Sequence, residues 1–108
     1  MFRKNLEMAL YYDCYSQLLT ERQQTVMRLY YEEDLSLGEI AEMSGISRQA
    51  VRDCLKRGEE CFLETEKRLH VVEKYRRIKS LCSDIRQAAE SGDRDRVKAA
   101  ADRIESLI

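Results

Sequence analysis

A chain of 108 residues with no proline, 36% charged and 44% hydrophobic side chains, has room for one domain or one small domain with a helical extension. The charged fraction stands above the roughly 25% of an average domain, which fits helices with wide solvated faces, while the apolar fraction excludes a disordered tail. A net charge of −1 excludes a protein that coats nucleic acid by charge alone, and the lack of any apolar run near about 18 residues excludes a membrane span.

The first predicted helix runs from about Lys4 to Leu18. Leu6, Leu10, Cys14 and Leu18 fall on one face, and Met8, Tyr11, Tyr12, Tyr15 and Leu19 on a second. Thr20 with Gln23 forms a capping box that opens a helix over about Glu21 to Tyr31, whose buried side carries Val26, Leu29 and Tyr30. Glu32-Glu33-Asp34 is a solvated acidic connection.

Ser36 with Glu39 is a second capping box, and Leu37, Ile40 and Ala41 share a face behind it. The pattern stops at Ser44-Gly45, where glycine can take the left-handed conformation that ends a helix. Ile46 plugs the turn and Ser47 caps the next helix. On that helix Ala50, Val51, Cys54, Leu55 and Gly58 cluster on one side, and Arg48, Gln49, Arg52, Asp53, Lys56 and Arg57 on the other. Arg48, Arg52 and Lys56, four apart, make a basic ridge. Two helices joined by a short glycine turn, the second bearing cations outward, form a helix-turn-helix pattern.

This helix is expected to continue through Phe62 and Leu63 to about Thr65. Another covers about Glu66 to Ala89, with Val71, Tyr75, Ile78, Cys82, Ile85 and Ala89 as a heptad seam widened by Val72 and Leu81. Ser91-Gly92-Asp93 stops it, and a last helix over about Arg94 to Leu107 buries Val97, Ala100, Ala101, Ile104 and Ile108. The expected architecture is therefore all-α: a helix-turn-helix bundle over residues 1–65 and a helical hairpin over 66–108 that packs back or pairs with a second copy. The spare apolar face of the first helix favours a homodimer.

The run Leu35-Ser36-Leu37-Gly38-Glu39-Ile40-Ala41-Glu42, followed by Ser47-Arg48-Gln49-Ala50-Val51, Asp53 and Lys56-Arg57, resembles the YlxM-like family of small bacterial helix-turn-helix proteins. Their motif is similar to region 4 of sigma-70-type transcription factors, and Leu18-Leu19-Thr20, Gln23 and Leu29-Tyr30-Tyr31 also fit. The likeness covers about residues 5–75. Arg52 stands where the pattern usually has an aromatic residue. The resemblance also implies a second role, since the family is linked to the signal recognition particle and its receptor: an adaptor acting through particle RNA or protein contacts.

No catalytic, cofactor or metal constellation accompanies these patterns. His70 is alone, no phosphate-binding glycine loop occurs, and Cys14, Cys54, Cys61 and Cys82 form no Cys-x-x-Cys pair. Free thiols and the lack of a signal peptide point to a cytoplasmic protein, and the missing catalytic set to one that is not an enzyme. The candidate DNA contacts are Ser47, Arg48, Gln49, Arg52, Asp53, Lys56 and Arg57. Arg48 and Gln49 are expected to read guanine or adenine in double-stranded DNA, and Lys56 and Arg57 to hold phosphate. The competing reading is a solvated ridge on a protein-docking domain.

Overall fold

The computed structural model describes residues 6–108, and for Leu6 the backbone alone. The expected helix start at Lys4 lies outside the described residues. Six α-helices and one 3-10 turn follow in order, with no strand among the described residues: α1 (Leu6–Tyr15), the turn Ser16–Leu18, α2 (Glu21–Tyr31), α3 (Leu37–Ser44), α4 (Arg48–Leu69), α5 (Val71–Glu90) and α6 (Arg94–Leu107). The fold is all-α, and the chain divides into two units, Met1–Leu69 and His70–Ile108.

In the first unit, the core is built where α2, α3 and α4 meet, with α1 laid on α4. Val26 and Met27 of α2, Ile40 of α3, and Val51 and Phe62 of α4 are almost wholly shielded from solvent. Met27 takes a place that the sequence pattern did not assign to it. A Cβ on Gly58 would lie 2.3 Å from the Met27 sulfur, so the missing side chain of Gly58 is the notch into which the thioether fits. Phe62 extends the core under α1: Tyr12 and Tyr15 approach its ring at centroid distances of 6.4 and 6.3 Å. The Tyr15 hydroxyl donates to Glu66, tying the end of α1 to the last third of α4.

The first helix ends three residues sooner than its apolar pattern. The chain tightens into the 3-10 turn, then becomes extended at Leu19 and Thr20 so that Thr20 can cap α2. The side carrying Met8, Tyr15 and Leu19 is buried, Leu10 and Cys14 are half-buried, and Leu18 is 58% exposed. Burial pushes the Cys14 thiol up, helped by the nearby carboxylates of Asp13 and Glu66.

The division between units falls after Leu69 rather than after residue 65. Thr65 lies within α4, its hydroxyl donating to the Cys61 carbonyl at 2.7 Å, one turn back. The break comes at His70, whose backbone is left-handed (φ 55°) and separates α4 from α5. Its imidazole Nδ1 lies 3.3 Å from Glu73 and is exposed.

In the second unit α5 and α6 form an antiparallel hairpin. Gly92 is left-handed (φ +70°), the Asp93 amide donates back to the Ala88 carbonyl at 2.9 Å, and the Asp93 carboxylate caps α6 by accepting from Arg96 N–H. The covered line of α5 differs in part from the expected seam. Ile78, Cys82 and Ile85 of that seam are half-buried as expected, with Leu81 and the buried Val72 beside them, but Ala88 is fully buried in place of Ala89, and Val71 and Tyr75 are exposed. On α6 Ala100 is buried, Val97, Ile104 and Leu107 are half-buried, and both Ala101 and Ile108 are exposed. The buried Ala88 and Ala100 are small residues of the kind that let two helices pack closely.

Candidate nucleic-acid interface

The helix-turn-helix is α3, the turn Gly45-Ile46-Ser47 and α4. Ser36 accepts from Glu39 N–H and Glu39 from Ser36 N–H, both at 3.1 Å, which closes the reciprocal cap of α3. Gly45 ends it with φ +68°, a conformation that leaves its own N–H bonded to Ala41. Ser47 Oγ accepts from Ala50 N–H at 3.0 Å and starts α4. Ile40 and Ala41 from α3 are packed against the buried side of α4, at Val51, Cys54 and Leu55. That packing fixes which side of α4 faces water.

All seven candidate residues, Ser47, Arg48, Gln49, Arg52, Asp53, Lys56 and Arg57, are exposed. At about 100° per residue they are not equivalent. Gln49 and Asp53 lie opposite the buried stripe, at the outward pole. Gln49 Nε2 donates to Asp53 Oδ1 at 3.0 Å, so the amide is held by a neighbour one turn on. One Gln49 amide N–H and its carbonyl remain to face a ligand.

Arg48 and Arg52 stand on the flank facing α3. The Arg48 guanidinium lies over Gly38 of α3. Arg52 and Lys56 border a cleft of about 640 Å³ between α3 and α4, floored by Leu35, Leu37 and Leu55 and bordered on its acidic side by Glu39 and Glu59. Glu59 accepts from the Tyr31 hydroxyl, and burial together with that carboxylate holds the phenol well above its usual range.

Arg57 lies on the other flank. Burial pushes the Cys54 thiol up, and the charges of Arg22 and Arg57 oppose the shift. Arg22, in the first turn of α2, was not among the sequence candidates; its place after the Thr20 cap is the signal that could have found it. Gly38 was missed as well, because its role depends on a residue ten positions away. Among the described residues Arg22, Arg48, Arg52, Lys56 and Arg57 make no ion pair. No group of three or more His, Cys, Asp or Glu able to hold a metal occurs among the described residues. None of the described helices is long and apolar enough to cross a membrane.

A family model described as "Putative helix-turn-helix protein, YlxM / p13 like" matches residues 2–102. The chain is 42% identical over 108 residues to a UPF0122 protein of Shouchella clausii, an alignment covering 99% of each. It is 45% identical over 85 residues to a UPF0122 protein of Symbiobacterium thermophilum, covering 79% of each. To a UPF0122 protein of Clostridium acetobutylicum it is 49% identical over 72 residues, 67% of this chain and 62% of the other.

Proposed function

This chain belongs to the YlxM / p13-like family of helix-turn-helix proteins, and on that premise we propose that it binds double-stranded DNA, with the first three turns of α4 in the major groove. The observation that carries this reading is the charge state of that surface. Arg48, Arg52, Lys56 and Arg57 are exposed and make no ion pair among the described residues, and the single carboxylate between Arg48 and Arg57, Asp53, is engaged by Gln49. A merely solvated helix face tends to neutralise its cations with acids three or four residues away. Of the acids so placed here, Asp53 is engaged by Gln49, Glu59 accepts from Tyr31 at the edge of the cleft, and the exposed Glu60 makes no ion pair with Lys56 or Arg57 among the described residues.

On this reading Gln49 meets a base edge, adenine N6 and N7 fitting its free carbonyl and N–H. Lys56, Arg57 and Arg22 meet phosphates on either side of the groove. The net charge of −1 makes affinity modest and strongly salt-dependent. The family is one of helix-turn-helix proteins, not of enzymes. The working form is a homodimer, supported by Val71 and Tyr75 of α5, which the α5–α6 seam leaves 42% and 43% exposed.

Selection of bound duplexes from a random pool, followed by fluorescence anisotropy, tests the reading. Gln49→Ala is expected to lose about 1–3 kcal/mol on the selected duplex and little on a scrambled one. Equal losses on both, or tighter binding of a structured RNA than of any duplex, would count against major-groove reading.

A further inference from the structure

Gly38 is an unfavourable residue for the place it holds. It sits in the first turn of α3, between Leu37 and Glu39, and its φ is not left-handed, unlike those of Gly45 and Gly92. Alanine would make a better helix there. What glycine supplies is room. A Cβ at Gly38 would lie 2.9, 3.1 and 3.2 Å from Nη2, Nε and Cζ of Arg48. The guanidinium, with its Nε–Nη2 edge nearest, therefore occupies the space that a side chain at Gly38 would take.

Arg48 is the first residue of α4. Its head is therefore held beside the opening turns of both α3 and α4, where unsatisfied backbone N–H groups carry partial positive charge. It has no ion-pair partner among the described residues. Its position is on the flank of α4, while Gln49 and Asp53 occupy the outward pole. In a helix lying in a groove, the pole faces base edges and the flank faces the sugar-phosphate wall.

We propose that Gly38 is a positioning residue for Arg48, and that the seat it provides makes Arg48 a contact to backbone phosphate rather than a reader of bases. This rests on the DNA-binding reading above and departs from the sequence expectation that Arg48 reads guanine.

The test compares the full-length wild type, Gly38→Ala, Arg48→Ala, Arg48→Lys and the Gly38→Ala/Arg48→Ala double variant. Each is titrated with the duplex selected by the wild type and with its scramble, at several salt concentrations, and each is melted. Gly38→Ala is expected to melt no lower than wild type, because only the end of a flexible side chain must move. Its affinity should fall roughly three- to tenfold on both duplexes alike, as a charge-assisted contact is displaced. Arg48→Ala should lower the salt slope by about one and leave the preference between duplexes unchanged. Arg48→Lys keeps the charge without the planar group and should lose as Gly38→Ala does. In the Arg48→Ala background, Gly38→Ala should have no further effect.

Independent losses in the double variant, a lower melting temperature for Gly38→Ala, or a changed preference in Arg48→Ala would overturn the proposal while leaving the DNA reading intact. Failure of the wild type to hold any duplex overturns both.

Discussion

Gly58 and Met27 show how one residue sets how near α2 and α4 come. A glycine in the interior of a 22-residue helix weakens it by roughly 0.5–1 kcal/mol relative to alanine. Here the loss is offset by the Met27 thioether, which fills the notch and is wholly buried. Gly58→Ala would put a methyl 2.3 Å from the sulfur, and Met27 has no solvent to swing into. We expect destabilisation of about 1–3 kcal/mol, the usual range for overpacking, read as a lower denaturant midpoint at unchanged slope. A gain in stability, the helix-propensity result, would mean that α2 and α4 are not held at this spacing. The same pair marks a limit of sequence reading. Gly58 was visible on the apolar side of the pattern, but nothing local said that the space above it belonged to a methionine thirty-one positions earlier.

At the scale of elements, the ends of helices were the most legible part of the chain. Thr20 with Gln23, Ser36 with Glu39, Ser47, Gly45, Gly92 and Asp93 all act locally, and each is found doing what its side chain or its freedom of φ permits. The turn at Gly45 can be tested by itself, since a Cβ there meets nothing within 4 Å. Gly45→Ala should therefore cost only the left-handed backbone penalty, about 1–2 kcal/mol, and Gly45→Asn distinctly less. Equal losses for the two in thermal melts would place the cost elsewhere than in φ. Harder to read was the end of α4, because His70 has no chemistry that announces a left-handed residue. On α5 the seam takes Ala88 rather than the expected Ala89, since two adjacent alanines carry equal and little hydrophobic weight in a pattern. In the candidate interface the 3.6-residue period was enough to separate outward from inward side chains. It also put Gln49 nearer the pole than Arg48, but it could not show the seat of Arg48 on Gly38, because that comes from α3.

For the whole molecule, charge and exposed apolar surface pull toward different partners. The first unit exposes Arg48, Arg52, Lys56 and Arg57 on α4, and the second unit exposes Val71 and Tyr75 on α5 beside cations of its own such as Lys74 and Arg77. If the proposed homodimer forms through this apolar surface, light scattering on a sizing column should give twice the 12.7 kDa of one chain. Tyr75→Glu should then return it to a single chain without loss of helicity. A 12.7 kDa particle at micromolar concentration would remove the dimer.

One more consequence follows from α4 being unbroken from Arg48 to Leu69. At about 1.5 Å per residue it is a rod of roughly 33 Å. Its leading end offers Gln49 outward, and its trailing part is gripped by α1 through Phe62, Tyr15 and Glu66. A rod clamped at its tail is aimed by that clamp. On the proposed DNA reading, substitutions among the tyrosines of α1 would act on the tip as a change of aim, and the tip's own residues would answer for only part of the selectivity.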